Sequence, residues 1–260
     1  MFDAQTYWEN RLRNNYNLTG VGHISYGTNF NKWVYRVKAK AFFNVILSFN
    51  LNAINSKVLD IGSGTGFYID LWKKVHVKSI AGSDITSIAV NNLSTKYPDC
   101  KFYHLDISNK NSLPNCTFDI ISAFDILYHI VDDKKFNTAI ENIRSILRPH
   151  GFFILSDNFL HGETIRTTHH VSRSLKDIVE LFDRVGLEIL GRRAQLVHMS
   201  DPVDASWLRR TLWSFAMLPA TKSNTFGNML GALMYPFELR AIHNREESPT
   251  TEIMVCRRKA

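Results

Sequence analysis

The chain has 260 residues, 45% of them hydrophobic, and a net charge of +7; this length accommodates one α/β domain with a sizeable core and additional segments. It lacks a run of about 18 uncharged apolar residues, which argues against a membrane-spanning helix, and its first residues include an early acid and no apolar stretch of a signal peptide. The three cysteines are widely spaced without a C-x-x-C pair, so we expect a cytoplasmic protein and predict no metal site.

Residues 1–45 are rich in aromatic side chains and are expected to form an N-terminal cap segment. Three glycines make residues 17–27 a loop rather than a helix. Apolar residues at helical spacing predict a helix over 31–43 that leads into the core. His23 and Tyr26 lie in the glycine loop and are therefore the cap residues expected to face a pocket. Packing of the aromatic residues on the sheet is the alternative.

The run 58–67 carries the strongest signal in the chain. An apolar strand, Val58–Ile61, contains Asp60 and leads into glycines at 62, 64 and 66, after which a helix is predicted. Glycine lets the backbone turn sharply and removes the Cβ atoms that would keep a ligand away. The helix N-terminus beside this loop offers free N–H groups. The run therefore predicts a nucleotide-like cofactor site.

The spacing of the glycines distinguishes between cofactors. The dinucleotide fingerprint G-x-G-x-x-G requires a glycine where the chain has Phe67, and a P-loop requires a lysine that residues 58–72 lack. The D-x-G-x-G-x-G form, beginning at Asp60, resembles motif I of the class I S-adenosylmethionine-dependent methyltransferases. The resemblance covers residues 57–197 and implies a doubly wound, mostly parallel, seven-stranded α/β sheet. It also implies S-adenosyl-L-methionine as cofactor, with the glycine loop around its methionine part.

Acidic residues end the next two predicted strands. Asp84 follows the strand 77–83 and lies 18 residues after Gly66, close to the roughly 20-residue interval at which an acid accepts from ribose hydroxyls; capping the next helix is the alternative. Asp106 follows the strand 101–105, and the resemblance implies that it accepts from the adenine amino group. The predicted cofactor site consists of Asp60, Gly62, Ser63, Gly64, Gly66, Asp84, Ile85, Asp106, Ile107 and Phe124.

Methyl transfer requires positioning and, for a hydroxyl or ammonium nucleophile, a base. His129 follows the fourth predicted strand, 118–123, and is the best placed residue for that role. With His23 and Tyr26 it forms the candidate catalytic set.

The sequence also bears on two other kinds of methyltransferase site, one for exocyclic amines and one that depends on magnesium. The tetrad Asp/Asn-Pro-Pro-Tyr/Phe, used to methylate exocyclic amines in nucleic acids and protein amides, is absent from the run that begins at Ser122. Asp125 and the pair Asp157-Asn158 occupy positions comparable to those of a magnesium-dependent catechol-type site, and hard oxygen ligands suit magnesium. Acids at these positions also occur in metal-independent relatives.

About fifty residues separate the predicted strand 187–197 from the last strand, 252–256. They contain many large apolar side chains, and two short helices, each ended by a proline, are predicted over 206–218 and 225–235. A lid over the substrate pocket, a homodimer interface and a membrane-surface contact all remain open for residues 200–245.

The chain is thus expected to consist of a cap (1–45), a cofactor-binding core (46–197), a helical insertion or lid (198–249), and a last strand with a basic tail (250–260). The resemblance implies an S-adenosylmethionine-dependent methyltransferase that O- or N-methylates a small-molecule acceptor, for example a natural-product or sugar intermediate. The net charge of +7 keeps a nucleic-acid or protein substrate as an alternative, although the basic residues are scattered. A non-enzymatic cofactor-binding partner protein is a further alternative.

Overall fold

The computed structural model describes residues 2–260. Its strands form one seven-stranded sheet and a separate two-stranded hairpin. The strands are β1 (Lys57–Ile61), β2 (Ser79–Asp84), β3 (Lys101–His104), β4 (Phe118–Phe124), β5 (Leu147–Asp157), β6 (Ile165–Arg166), β7 (Val171–Ser172), β8 (Leu187–Leu196) and β9 (Thr251–Arg258). The α-helices are α1 (Ala4–Asn14), α2 (Leu18–Val21), α3 (Thr28–Ser48), α4 (Phe67–Lys74), α5 (Ser87–Lys96), α6 (Asp133–Ile146), α7 (Leu175–Val185), α8 (Trp207–Lys222) and α9 (Asn224–Ile242).

The large sheet has the order β3-β2-β1-β4-β5-β9-β8. The pairs from β3 to β5 are parallel, and only β9 runs against its neighbours β5 and β8. This arrangement confirms the predicted doubly wound, mostly parallel seven-stranded sheet. The strand order reverses between β1 and β4, and the carboxyl ends of these two strands are where an open α/β sheet binds its ligand.

The buried strand residues alternate between two apolar layers. On one face, Phe42 of α3 packs edge-on against Trp72 of α4, with ring centroids 4.8 Å apart. On the other face, Phe136 of α6 and Phe182 of α7 join the second buried cluster. Both faces of the parallel sheet are therefore covered by helices, as such sheets require.

The N-terminal cap is more helical than its sequence suggested. Asn17 accepts hydrogen bonds from the backbone N–H groups of Thr19 and Gly20, and this capping lets the short helix α2 form inside the run predicted as a loop. The predicted helix over 31–43 is part of the longer α3, which extends to Ser48 and so crosses the expected boundary between cap and core.

The insertion between β8 and β9 is a pair of helices, as predicted, but its prolines do not end them. Pro219 lies inside α8 and Pro236 inside α9. Proline removes one backbone donor, yet the amides beyond it still find partners; the N–H of Ser223, for example, donates to the carbonyl of Pro219 at 3.3 Å. Neither of these helices, nor any other in the described residues, is long and apolar enough to cross a membrane.

A buried carboxylate fixes the helical insertion to the end of β8. Glu238 of α9 is fully buried and accepts from the backbone N–H groups of Val197, at 2.6 Å, and His198, at 2.9 Å, with a longer contact to Met199. Backbone N–H groups that are buried without a hydrogen-bond partner are costly. The Glu238 side chain provides the acceptor for those at the end of β8.

We expect Glu238→Ala to lower the free energy of unfolding by about 3 kcal/mol or more, because several buried amides lose a charged acceptor together. Glu238→Gln keeps one acceptor oxygen and is expected to cost less. Urea denaturation measures both, with Glu246→Ala as a control because the side chain of Glu246 is 73% exposed. If Glu238→Ala unfolds at the same urea concentration as the control, the carboxylate does not hold the insertion in place.

Candidate functional site

The glycine loop after β1 forms one wall of a cavity of about 990 Å³, part of which is open to solvent. Its backbone is left-handed at Gly64, with φ of +51°, and at Gly66, with φ of +87°. A side chain on Gly64 would also approach Val21 of α2 to 3.0 Å. This combination explains why the loop is glycine-rich at the position where the cap comes closest to it.

Asp84 at the end of β2 ties two strand ends together. Its Oδ2 atom accepts from the Gly64 N–H at 2.9 Å, and its Oδ1 atom accepts from the Thr86 N–H at 2.9 Å and the Thr86 hydroxyl at 2.7 Å. Burial raises the pKa of Asp84, and the hydrogen bonds from Thr86 and Gly64 oppose that rise. A carboxylate has about four acceptor positions, so one remains for a ligand instead of the two needed for a pair of hydroxyls.

The cap closes the cavity over this loop. Ala4, Trp8 and Leu12 of α1, with Val21 of α2 and Tyr35 of α3, line it. Arg11 holds α1 to α2 through the carbonyls of Gly20, at 2.7 Å, and Gly22, at 2.6 Å.

Other hydrogen bonds join the cap to the core. The hydroxyl of Tyr16 donates to the carbonyl of Gly64 at 2.9 Å, and Glu9 accepts from the Ser87 N–H at 2.9 Å. The cap is therefore attached to the glycine loop itself and to the helix that follows Asp84.

Eight of the ten predicted cofactor residues meet on this cavity. They are Gly62, Ser63, Gly64, Asp84, Ile85, Asp106, Ile107 and Phe124. Gly66 is not on its surface; a Cβ atom there would lie 2.7 Å from the Tyr97 ring, so its role in the structure is packing of the loop.

Asp60 also lies off the cavity surface. It is buried and accepts from the Ser122 hydroxyl at 2.7 Å, and burial raises its pKa to about 7. Asp60 belongs to β1, and its side chain is hydrogen-bonded to β4 instead of facing the cavity.

Of the three catalytic candidates, one lines the cavity and two do not. His129 lies on the cavity, whereas His23 and Tyr26, expected to face a pocket, are not among its lining residues. Their rings stack on each other at 4.2 Å, and Tyr26 packs edge-on against Trp213 of α8. The expectation that these two residues face the pocket is therefore wrong. Sequence pattern placed them in a glycine loop, but Arg11 and Asn31 fold that loop away from the cavity.

The aromatic cap residues that do line the cavity, Trp8 and Tyr35, were part of the aromatic pattern but could not be singled out from it. Trp8 lies on α1 and Tyr35 on α3, and their inward direction depends on how those helices pack. Phe67 and Tyr68 of α4 add two more rings to the wall, and Tyr68 stacks on Phe124 at 4.0 Å.

His129 has one ring nitrogen occupied by the protein. Its Nδ1 atom lies 2.9 Å from the carbonyl of His169, and because a carbonyl only accepts, Nδ1 carries the proton and Nε2 the lone pair. Burial lowers the pKa of His129 to about 4. The imidazole is therefore neutral at pH 7.

Asp125, on the cavity wall, is paired with protein groups. Its backbone has φ of +58°, its carboxylate lies 2.6 Å from Lys38 Nζ, and it accepts from the Ser156 hydroxyl at 2.9 Å. Across residues 2–260 no group of three or more His, Cys, Asp or Glu side chains is arranged to hold a metal ion.

The helical insertion, for which a lid was one of three alternatives, does not contribute to this cavity. No residue of 198–249 lines the cavity; α9 instead packs on α3, where a Cβ atom on Gly231 would lie 2.4 Å from Trp33. The apolar composition of the insertion could not reveal this, because a lid and a surface hairpin have the same sequence signature. The cavity is covered by α1 and α2.

The residues present fit a nucleoside cofactor with a methionine part. The Thr65 hydroxyl, on the loop, is buried and has no hydrogen-bond partner within the described chain. Asp106 uses Oδ1 for Ser108 at 2.7 Å, which leaves Oδ2 to accept from an amino group. Ile85 and Ile107 provide apolar surfaces on the same cavity. Fold and site together fit an α/β protein that binds a nucleoside cofactor.

Comparison with known proteins narrows this class. Residues 58–151 match the family model described as a methyltransferase domain. An uncharacterized protein of Haemophilus influenzae is 26% identical over 118 residues, which cover 43% of this chain and 45% of that protein. The chain thus aligns with less than half the length of this relative.

Two solved structures illustrate the likeness of fold. Magnesium protoporphyrin IX methyltransferase (ChlM) of Synechocystis PCC 6803, with bound S-adenosylmethionine, is 14% identical with a TM-score of 0.60; the match covers 100% of this chain and 99% of that one. The N-methyltransferase NodS of Bradyrhizobium japonicum, in complex with S-adenosyl-L-homocysteine, is 15% identical with a TM-score of 0.57 and 98% coverage of both chains. At such identities the likeness establishes the fold alone.

The matched family model, the D-x-G-x-G-x-G loop and the strand order agree. Residues 58–151 are similar to a methyltransferase domain, and the fold is that of the class I S-adenosylmethionine-dependent methyltransferases.

We expect Asp84→Ala to weaken binding of S-adenosylhomocysteine by about 1.5–3 kcal/mol, the scale of hydrogen bonds to a charged group. Calorimetric titration measures the change. Asp99→Ala is the matched control, since Asp99 is an exposed acid, and circular dichroism verifies that both variants are folded. Equal dissociation constants for the two variants would remove Asp84 from the cofactor site.

A pH dependence of stability follows from Asp157 at the end of β5. Burial raises its pKa to about 7, so the folded state keeps a proton that the unfolded chain releases near pH 3.8, the ordinary pKa of an aspartate. Stability is therefore lost as the pH rises from about 4 to about 7 and is constant above that.

Asp157→Asn keeps an acceptor for the Asn158 N–H but has no proton to lose, so its unfolding free energy should fall less than that of the parent over this window. Urea denaturation at about pH 4, about pH 5.5 and about pH 7, which together span the window, gives both curves. Parallel curves would show that Asp157 is ionised in the fold.

Proposed function

We propose that this protein transfers the methyl group of S-adenosyl-L-methionine to a small molecule through O- or N-methylation. The observation that carries the proposal is the character of the cavity. It is covered by α1 and α2 and contains no lysine or arginine among its lining residues. Of its carboxylates, Asp84 and Asp106 are assigned to the cofactor and Asp125 is paired with Lys38. Nucleic acids bind to surfaces that neutralise phosphates with cations, so the absence of cations from this lining favours a small acceptor over a nucleic acid.

The aromatic side chains of the cavity support S-adenosyl-L-methionine as the methyl donor. Trp8, Tyr35, Phe67 and Tyr68 face the cavity, and aromatic faces attract cations. A cofactor with a sulfonium centre is therefore compatible with walls made of aromatic rings and carboxylates. When bound, the cofactor supplies the electrophilic methyl group; the protein holds donor and acceptor in line and excludes water.

His129 is the residue we propose as base. Its Nδ1–H donates to the His169 carbonyl, which orients the ring, and the neutral Nε2 atom is available to accept a proton from a hydroxyl or ammonium acceptor. A lowered pKa keeps the ring unprotonated at neutral pH at the cost of basicity. His23 and Tyr26 support the cap in this proposal and have no step in the reaction.

The intact glycine loop argues against the alternative of a non-enzymatic partner protein. We further propose a cytoplasmic location, which is consistent with Cys100, Cys116 and Cys256 being free thiols.

The test is methyl transfer from radiolabelled S-adenosylmethionine to three separate acceptor pools: phenols and small amines, total RNA, and mixed peptides. We expect incorporation only in the small-molecule pool. Incorporation into RNA or peptides with none into small molecules would contradict the proposal.

With an acceptor in hand, His129→Ala should lower kcat by roughly 10²–10⁴-fold, the range of general-base catalysis, with a much smaller change in the affinity for S-adenosylhomocysteine. His169→Ala is the matched control, because it removes a neighbouring imidazole and retains the backbone carbonyl that orients His129. Equal kcat values for the two variants would show that His129 is not the base.

A further inference from the structure

The outward side of the helix pair α8–α9 is apolar to an extent unusual for a surface. Of the fourteen exposed large hydrophobic side chains in the described residues, nine lie between positions 207 and 237. Trp207 is 78% exposed, Phe215 66% and Phe237 65%. The nine are Trp207, Leu208, Leu212, Phe215, Leu218, Phe226, Met229, Leu233 and Phe237. Single exposed apolar residues are ordinary, but a contiguous patch marks an interaction surface.

These side chains follow helical spacing on both helices. Leu208, Leu212 and Phe215 recur at intervals of four and three along α8. Along α9, Phe226 is followed by Met229, Leu233 and Phe237 at intervals of three, four and four. Residues at this spacing lie on one face of a helix. Each helix therefore presents an apolar stripe to the outside.

The opposite faces of both helices are already packed. Met217 and Ala220 of α8 and Gly227 and Gly231 of α9 are buried, and Glu238 fixes α9 to the end of β8. The outward stripes are thus a second apolar surface, additional to the one that the fold uses.

The charge around the stripes has one sign. Residues 206–242 contain Arg209, Arg210, Lys222 and Arg240 but only one acid, the fully buried Glu238. Arg210 is paired with Asp201 at 3.5 Å. No ion pair is found anywhere in residues 2–260 for the other three cations.

The neighbouring helix α3 extends this basic character. It contains no acidic residue, and its exposed cations Lys32, Arg36 and Lys40 recur at intervals of four. Arg36 lies over the ring of Trp33, 4.3 Å from its centroid, and Trp33 in turn donates to Asn228 of α9 at 2.9 Å. The basic edge of α3 therefore adjoins the helix pair.

We propose that the outward face of α8 and α9, with the basic edge of α3, binds the surface of an anionic membrane. Apolar rings set among cations match the boundary between acyl chains and acidic headgroups. An isologous dimer would place the same patch of two copies together and bring their unpaired cations face to face without acids to offset them. Since no described helix is able to cross a membrane, this contact is peripheral.

The membrane contact is tested by flotation of the full chain with two kinds of vesicle: phosphatidylcholine alone, and phosphatidylcholine with roughly one third phosphatidylglycerol. We expect binding to the second kind only, and release as salt is raised. A protein that stays with the soluble fraction in low salt with anionic vesicles would overturn the proposal.

Two sets of variants separate the apolar and the electrostatic parts. Phe215→Ser with Phe226→Ser and Phe237→Ser should reduce binding by about tenfold or more, whereas the control pair Leu47→Ser and Ile54→Ser, also exposed, should not. Neutralising Arg209, Lys222 and Arg240 to glutamine should reduce it by roughly fivefold per charge.

The matched charge control changes the exposed Lys110, Lys134 and Lys176 to glutamine and should have a smaller effect. Equal loss in both charge sets would show that net charge alone attracts the protein to vesicles. Light scattering completes the test: a dimer that the triple serine variant converts to a monomer would assign the face to a second copy instead.

Discussion

The hydrogen bond from the Gly64 N–H to the Asp84 carboxylate, 2.9 Å long, joins the two strand ends on which the site depends. Asp84 is buried, so its carboxyl oxygens accept from these donors in place of water. The bond fixes the glycine loop relative to β2 and thereby sets the distance between the loop and Ile85 and Asp106, the residues predicted to contact adenine. A ligand that spans these elements meets a surface arranged before it binds, which reduces the entropy that binding must overcome.

The cap covers the site and is attached directly to the glycine loop. Tyr16 donates to the carbonyl of Gly64, and Val21 packs over the same glycine, so the cap is attached to the loop that it covers. Trp8 lies edge-on to His129, with centroids 4.9 Å apart. The proposed base therefore lies beside α1, on the wall of the cavity that the cap covers.

Much of this arrangement could be predicted from sequence because the signals were local. The glycine spacing in 58–66 and the acids that end predicted strands identified the loop, Asp84 and Asp106, since strand ends of a parallel sheet converge on one edge. The doubly wound seven-stranded sheet was what the resemblance of the glycine loop to the methyltransferase motif implied.

What failed depended on packing between distant segments. Whether Trp8 or Tyr26 faces the cavity is decided by Arg11, which bonds to carbonyls nine and eleven residues away and so turns the glycine loop outwards. Glu238 similarly decides the place of the insertion through amides about forty residues earlier. Neither contact leaves a periodic pattern, and the continuation of α8 and α9 through their prolines depends on the same tertiary support.

The most direct test of the account is a crystal structure of the protein with S-adenosylhomocysteine. We predict adenine between Ile85 and Ile107 with its amino group at Asp106, ribose at Asp84, and the sulfur directed to the part of the cavity bounded by Trp8, Tyr35 and His129. Density for the cofactor product in another place, or none in this cavity at saturating concentration, would contradict the account.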